Sequence, residues 1–341
     1  MTTPDVQSDT KRKPAWLRAV QFLLCAAVVI AVAWTLVKQL KLVDWAHVRF
    51  APLPSLLSIL ALLGVSACQV AARWTLLSAY NQRIGWRIQL AASWIPQLGK
   101  YLPGGVASIA GIVFILRKYK VPGAVAVSVA VLLDAMAVIA GLIVSTPLLL
   151  WEPVRARFPL AWIVCAAMIA IGLILLHPRI FVALLNWLLR KLKRQPIAAP
   201  PPLARYIWPL IASFAQWLFA GLALYFMALT LTPVPPREIP LFIASAALAM
   251  TISYLTPFTP GGIGIREYIY LVTLRPLIGP QAALVALILR LLQTILEIAL
   301  AVIGMLLLRD AAANPPPNVI LGEAKDLANM PVQPDSSLRS E

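Results

Sequence analysis

The sequence predicts an all-α protein that crosses a membrane several times. Of its 341 residues, 61% are hydrophobic and 12% are charged, and the mean hydropathy is +0.84. A soluble domain is usually less apolar and more highly charged. Several apolar runs reach the roughly 20 residues that cross a bilayer as a helix. The short alternating segments of a membrane β-barrel are not seen.

Six full spans are predicted, at about 19–37, 54–79, 122–150, 160–177, 207–231 and 281–308. The first run follows a basic tail, residues 1–18, and lacks a small-residue cleavage site, so we expect a retained span rather than a signal peptide. Four cations in "KRKPAWLR" favour a cytoplasmic N-terminus. Residues 178–206 carry six cations and predict a cytoplasmic amphipathic helix with a linker. The polar tail 310–341 is predicted to be disordered.

Two further apolar regions, 87–117 and 238–276, do not fit plain spans because Pro-Gly-Gly interrupts each of them. Proline removes a backbone donor and glycine frees the backbone, so the interruption breaks a helix. Each region therefore predicts a re-entrant hairpin, in which two half-length helices enter the membrane and return to the same side. Irregular backbone at that depth is tolerated only where it is buried in protein or lines a wet cavity.

The two hairpins belong to a predicted internal repeat within a transmembrane domain at 19–309. An arginine and then a proline follow both motifs at matching distances, so the copies are placed at about 54–150 and 207–308. With a cytoplasmic N-terminus the hairpins enter from opposite faces, which inverts the second copy and gives about eight membrane segments. Alternatively, 239–257 crosses fully and the copies run parallel. The predicted inner segments carry 16 cations and the outer ones 6, which favours the inverted arrangement.

The hairpin turns are candidate anion sites. A returning half-helix begins with unpaired N–H groups and the positive end of its dipole, and glycines let a ligand approach the backbone. Basic side chains next to the turns add the charge that a phosphate binds strongly. The candidates are Lys100, Gly104, Gly105, Gly261, Gly262 and Arg266. Alternatively, the glycines only let helices pack closely.

Ionisable side chains inside the apolar runs are further candidates: Arg73, Asp134, Arg266, Glu267, Arg290 and Glu297. Each costs several kcal/mol in the bilayer centre unless it is paired or hydrated. Arg290 and Glu297 are seven residues apart and share a helix face. These residues predict either a structural salt-bridge network, in which the three charges of each sign neutralise one another, or a pathway for a headgroup or protons. Arg73 lies near a span end and can alternatively snorkel to the interface.

Three stretches, "RW" at Arg73–Trp74, "GKYLPGG" at 99–105 and "TPGGIGIRE" at 259–267, resemble the lysylphosphatidylglycerol synthase transmembrane family, also called flippase-like domain proteins. The resemblance covers about residues 15–308 and implies a bacterial or archaeal plasma-membrane protein. In the multiple-peptide-resistance proteins a similar region moves aminoacylated phosphatidylglycerol between leaflets. The matching positions are Arg73, Lys100, Pro103, Gly104, Gly105, Pro260, Gly261, Gly262, Arg266 and Glu267. Those proteins continue into a soluble aminoacyl-transfer domain that this sequence lacks, so we expect no synthase activity.

The sequence therefore predicts a lipid translocator that moves a phospholipid or a lipid-linked anionic substrate, such as a polyprenyl-linked headgroup, between leaflets. The alternative is a non-transporting partner that binds a lipid substrate for, or docks, a glycosyltransferase or another envelope enzyme. An enzyme acting alone is not expected, because no metalloprotease, nucleophile-elbow or phosphate-loop motif occurs. No cofactor or metal site is predicted. The net charge of +16 flanks apolar runs, which indicates orientation in a bilayer rather than nucleic-acid binding.

Overall fold

The computed structural model describes residues 51–313, with gaps at 102–105, 192, 194, 195, 198, 199, 257–261 and 263. The predicted first span, 19–37, and almost all of the predicted tail lie outside the described residues. Every regular element within them is a helix, which confirms the all-α prediction. The main helices are α1 (Pro52–Ala79), α2 (Trp86–Trp94), α3 (Val106–Lys118), α4 (Gly123–Leu150), α5 (Ala161–Leu176), α6 (Pro178–Lys191), α7 (Ile207–Leu231), α8 (Ile239–Leu255), α9 (Ile265–Ile278) and α10 (Gln281–Ala313).

Shorter helical segments join these helices. A 3-10 segment, Ile95–Tyr101, continues α2, and we call α2, this segment and α3 the first hairpin. We call α8 and α9 the second hairpin. Single turns lie at Glu152–Arg155, Leu203–Tyr206 and Pro236–Glu238. The described helical segments end at Tyr101 and Leu255 and begin again at Val106 and Ile265. The predicted helix breaks at the Pro-Gly-Gly motifs lie almost entirely outside the described residues, and only Gly262 of the two motifs is described.

Within the described residues, five helical stretches are long and apolar enough to cross a membrane: Pro52–Ala79, Gly123–Leu150, Leu203–Leu231, Pro236–Leu255 and Gln281–Ala311. A sixth candidate is the pair α5 and α6, which is bent by 78°. The protein is thus a multi-pass membrane protein. The fourth stretch contains α8, the first arm of the second hairpin, so the total of eight membrane segments stays a prediction.

Small residues let α8 pack closely between α4 and α7. A Cβ atom at Gly221 of α7 would lie 2.2 Å from the Cα of Ile243 in α8. A Cβ at Gly141 of α4 would lie 2.0 Å from the Oγ1 of Thr251, also in α8. Close backbone approach of this kind is the usual basis of helix packing in membranes, where lipid and protein are equally apolar. The first arm of the second hairpin is therefore enclosed by protein on two sides.

Contacts between the two predicted copies are reciprocal. The first arm of the second hairpin, α8, packs against α4, the last helix of the first copy. The first arm of the first hairpin, α2, packs against α10, the last helix of the second copy. The helices α1 and α7, which precede the hairpins, pack extensively against each other. When two copies are related by a two-fold axis, the hairpin of each copy is expected to pack against the last helix of the other copy. The repeat itself stays a prediction.

The helices α1 and α7 run antiparallel. Near the start of α1, the Ser58 hydroxyl donates to the carbonyl of Ala223 at 2.9 Å. At the other end of α1, the hydroxyls of Tyr80 and Tyr206 are 3.5 Å apart. We call this end of the bundle, where α1 finishes and α7 starts, the Tyr80 end.

The end of α10 also lies at the Tyr80 end. Asp310 forms a 2.8 Å ion pair with Arg87 at the start of α2, and Ile88 and Ala311 belong to the same hydrophobic cluster as Tyr80. In the parallel arrangement, α10 would finish on the opposite side from the start of the first hairpin. The Arg87–Asp310 contact therefore favours the inverted arrangement.

Candidate functional site

A cavity of about 300 Å³ lies among the two hairpins, α1, α4 and α7. Four charged side chains line it: Arg73 from α1, Lys100 from the 3-10 segment, Asp134 from α4 and Arg266 from α9. Uncharged polar side chains, among them Gln69, Gln216 and Ser253, line much of the rest. The cavity is thus a partly open chamber with charged and polar side chains among otherwise apolar helices.

Arg73 is buried, with 7% of its surface exposed. Its Nη1 donates to the carbonyl of Ala92 at 2.8 Å, and its Nε has no partner among the described residues. Ala92 lies in the last turn of α2, where carbonyls have no partner within the helix. Arg73 satisfies one of them and joins α1 to the first hairpin. The alternative of snorkelling to the interface is therefore wrong, because α2 covers this face of α1.

Asp134 lies in the middle third of α4, and its side chain is exposed to the cavity. Among the described residues it accepts no hydrogen bond and forms no ion pair. It is also the one carboxylate among the described residues that line the cavity. An unpaired carboxylate at this depth requires water, a proton or a cationic partner.

Arg266 belongs to the first turn of α9 and is 9% exposed. Its Nη1 donates to the Gln293 amide oxygen at 3.3 Å, and its Nε has no partner among the described residues. No carboxylate in the described part of the chain pairs with it. Arg266 is therefore a buried guanidinium that faces the cavity and is held in place by a neutral side chain.

The turn before α9 requires glycine at two positions. Gly262 has a φ of +70°, and a Cβ there would lie 2.5 Å from the Ser253 hydroxyl. Gly264 has a φ of +86°, and its N–H donates to the Glu267 carboxylate at 2.8 Å. A positive φ is unfavourable for other residues, and the contact with Glu267 is that of a capping box. The local sequence thus fixes where α9 begins and where Arg266 points.

Glu267 and Arg290 join the second hairpin to α10. The Glu267 carboxylate forms an ion pair with Nη1 of Arg290, which is 5% exposed. The same nitrogen lies 3.5 Å from the carbonyl of Gly262. The turn of the second hairpin is therefore attached to the middle of α10.

Lys100 and Tyr101 join the first hairpin to the same helix. Lys100 pairs with the Glu297 carboxylate, and the Tyr101 hydroxyl donates to it at 3.0 Å. The Gln293 amide also donates to Glu297, at 2.8 Å, while its oxygen accepts from Arg266. Gln293 thus joins Arg266 of the second hairpin to Glu297, and Glu297 in turn binds Lys100 and Tyr101 of the first hairpin.

Arg290 and Glu297 share a helix face, as the sequence predicts, but they do not pair with each other. Each binds an oppositely charged residue of a hairpin. A smaller cavity of about 50 Å³ lies beside Glu297, and Lys100 lines both cavities. The Lys100–Glu297 pair therefore stands at the boundary between them.

The predicted site residues fall into three groups. Arg73, Lys100, Asp134, Gly262 and Arg266 surround the larger cavity. Glu267, Arg290 and Glu297 do not line it and instead hold the hairpins on α10. Pro103, Gly104, Gly105, Pro260 and Gly261 lie outside the described residues.

Sequence reasoning missed the glutamines of the site. Gln69 and Gln216 line the cavity, and Gln293 bridges the hairpins. All three interrupt apolar helices, and polar amides in such helices commonly form contacts between helices. Scoring uncharged polar residues inside spans, and not only charged ones, would have found them.

The fold and the cavity define a class: a helical membrane protein in which two broken helices meet around a buried, charged chamber. The sequence matches the family described as the lysylphosphatidylglycerol synthase TM region over residues 18–301. The chain belongs to this family, which confirms the resemblance drawn from the motifs. Family membership indicates a membrane protein with a lipid-related function. A search of curated proteins found no match.

Proposed function

We propose that the protein is a lipid translocator and that the larger cavity binds the phosphate of a phospholipid or of another lipid-linked anionic substrate. One observation carries this proposal. Arg73 and Arg266 both face the cavity, both are buried, and neither pairs with a carboxylate among the described residues. A buried cation without a counter-ion is costly in a medium of low dielectric constant. A bound phosphate would supply the missing negative charge.

The chemistry of the two arginines suits a phosphate ligand. A guanidinium presents several donors in a planar fork that matches phosphate oxygens. Each arginine uses one nitrogen to bind the protein and keeps its Nε without a partner among the described residues. Arg266 also stands in the first turn of α9, where the helix dipole favours negative charge.

The position of the cavity supports movement across the bilayer. Arg290 lies about 14 Å along α10 from its start, and Glu297 lies about 20 Å from Asp310. The first hairpin therefore ends near the middle of α10, and the second ends about a third of the way along it. A headgroup bound between them would be far from both interfaces. Two inverted hairpins around a central site are the arrangement through which many transporters expose a site to each face in turn.

We propose that the Tyr80 end faces the cytoplasm of a plasma membrane and that the N-terminus lies on the same side. Cations concentrate at this end, including Arg83, Arg117, Lys118 and Arg205. Cytoplasmic loops of membrane proteins carry such an excess of lysine and arginine. We also propose that the protein moves its lipid without changing it chemically.

The test is a leaflet-exchange assay with the full chain in liposomes that contain labelled phosphatidylglycerol. The variant Arg266→Gln should lower the exchange rate at least about tenfold, because the lost charge-assisted bonds are worth roughly 1.5–3 kcal/mol. The matched control is Arg275→Gln, which changes an exposed arginine in the same helix outside the cavity. A folded Arg266→Gln variant with the wild-type rate would contradict the site. Lipid binding without exchange by the wild type would favour the non-transporting partner.

A further inference from the structure

The charges inside the bundle do not cancel. Among the described residues, seven ionisable side chains lie on the cavity or at the hairpin contacts with α10: Arg73, Lys100, Arg266 and Arg290 against Asp134, Glu267 and Glu297. Their formal sum is +1. The undescribed stretches of the hairpins, 102–105, 257–261 and 263, contain no Asp, Glu, Lys, Arg or His, so they do not change it.

The excess charge can be assigned to the cavity. Lys100 pairs with Glu297 and Arg290 pairs with Glu267, so these four residues contribute no net charge. Arg73 and Asp134 face the same cavity with opposite charges. Arg266 remains, and the side chain that binds it is the neutral Gln293. The described side chains therefore give the chamber a formal net charge of +1.

We propose, on the basis of the proposed lipid-binding function, that this chamber selects headgroups of net charge −1: phosphodiesters whose remaining headgroup is uncharged. Such a headgroup brings the chamber to neutrality. A zwitterionic phosphodiester leaves it at +1, and a phosphomonoester or diphosphate drives it to −1 or below. Net charge in a medium of low dielectric constant is penalised much more strongly than in water.

The neutral lining of the chamber indicates what the remainder of the headgroup contains. Gln216 is 6% exposed, lines the cavity, and its amide has no hydrogen-bond partner among the described residues. The amide lines the cavity, so it is available to a ligand. Hydroxyl groups can both donate to it and accept from it. A phosphate that carries a hydroxylated alcohol therefore fits both the charge and the lining.

The size of the chamber limits the ligand to a headgroup. A volume of about 300 Å³ is at the lower end of the roughly 300–1,000 Å³ of small-molecule pockets. Acyl chains must then remain outside it, against the apolar faces of the helices. Selection consequently acts on the headgroup and not on the chains.

The experiment is a competition for the full chain in nanodiscs at pH 8, where a phosphomonoester carries close to two negative charges. Three lipids with identical acyl chains compete: phosphatidylglycerol (−1), phosphatidylethanolamine (0) and phosphatidic acid (about −2). Native mass spectrometry counts which lipid is retained. The wild type should retain phosphatidylglycerol at least about tenfold over each of the others.

Charge variants then shift the preferred ligand. Asp134→Asn and, independently, Gln216→Lys raise the formal charge of the chamber to +2 and should each move the preference to phosphatidic acid by about tenfold. Gln216→Glu lowers it to 0 and should move the preference toward phosphatidylethanolamine. Arg275→Gln changes a charge outside the cavity and should leave the ratios unchanged. The two variants at +2 alter different helices, so the failure of one to fold does not remove the test.

The outcomes separate this inference from the proposed function. Equal retention of the three lipids, or ratios that the folded variants leave unchanged, would overturn the charge selection. Selective retention by a protein that exchanges no lipid between leaflets would instead overturn translocation and keep the selection. Exchange of all three lipids at equal rates would overturn the selection alone.

Discussion

Gly262 illustrates how a single residue positions the site. Its positive φ turns the chain between α8 and α9, and its missing side chain leaves room for Ser253 and Arg266. The place where a Cβ would stand is 3.2 Å from Nε of Arg266. The conformation of one glycine is therefore coupled to the guanidinium that faces the cavity.

Gly262→Ala should reduce both stability and lipid exchange. The backbone strain costs roughly 1–3 kcal/mol, and the new methyl must also displace Ser253 or Arg266. Gly264→Ala is the matched control, because its φ is also positive but nothing lies within 4 Å of its Cβ position. Thermal unfolding in detergent and the exchange assay measure the two effects. Equal losses in both variants would show that strain alone, and not the displacement of Arg266, accounts for them.

At the level of helices, the hairpins are attached to α10 by charge pairs rather than by apolar packing alone. The Glu267–Arg290 pair belongs to the second hairpin and the Lys100–Glu297 pair to the first. Such a pair favours one position of the hairpin on α10, because any other position would leave an uncompensated charge in the interior, which is costly. The two pairs therefore fix the register of each hairpin along α10.

Glu267→Gln should destabilise the protein by about 2 kcal/mol or more, because it leaves Arg290 buried without its counter-ion. Glutamine still serves the capping box, so the variant isolates the charge pair. The double variant Glu267→Gln/Arg290→Met should recover part of the loss. Glu152→Gln removes an exposed pair with Arg155 and should cost less than about 1 kcal/mol.

Denaturant or thermal unfolding of the wild type, both single variants Glu267→Gln and Arg290→Met, the double variant and the control Glu152→Gln provides the measurement. The coupling energy between positions 267 and 290 follows from the single and double variants. A coupling near zero would mean that apolar packing alone holds the second hairpin on α10.

Local sequence signals predicted the all-helical fold and the buried arginines Arg73, Arg266 and Arg290, because apolar runs and ionisable residues act on their own segment. The partners of those charges could not be predicted in the same way. The seven-residue spacing of Arg290 and Glu297 shows that they share a face, but only the packing of the hairpins on that face decides which residues pair with them. The position of the Arg73 side chain, buried or at the interface, could not be predicted for the same reason, because it depends on whether α2 covers this face of α1.

At the scale of the whole molecule, the charged chamber is assembled from both predicted copies. Arg73, Lys100 and Asp134 come from the first copy, and Arg266 comes from the second. Gln293 on α10 then links the two hairpins. The reciprocal packing of the helices is therefore what brings the charged residues of the two copies to one cavity.

The most direct test of this account is to locate the headgroup of a bound lipid. Phosphatidylglycerol with a photoreactive group on its terminal glycerol would be cross-linked to the full chain in nanodiscs and mapped by peptide mass spectrometry. The account predicts modification of peptides that contain Arg73, Asp134 or Gln216, suppressed by excess unlabelled phosphatidylglycerol. Modification confined to lipid-facing helix surfaces such as α5, with none at the chamber, would contradict it.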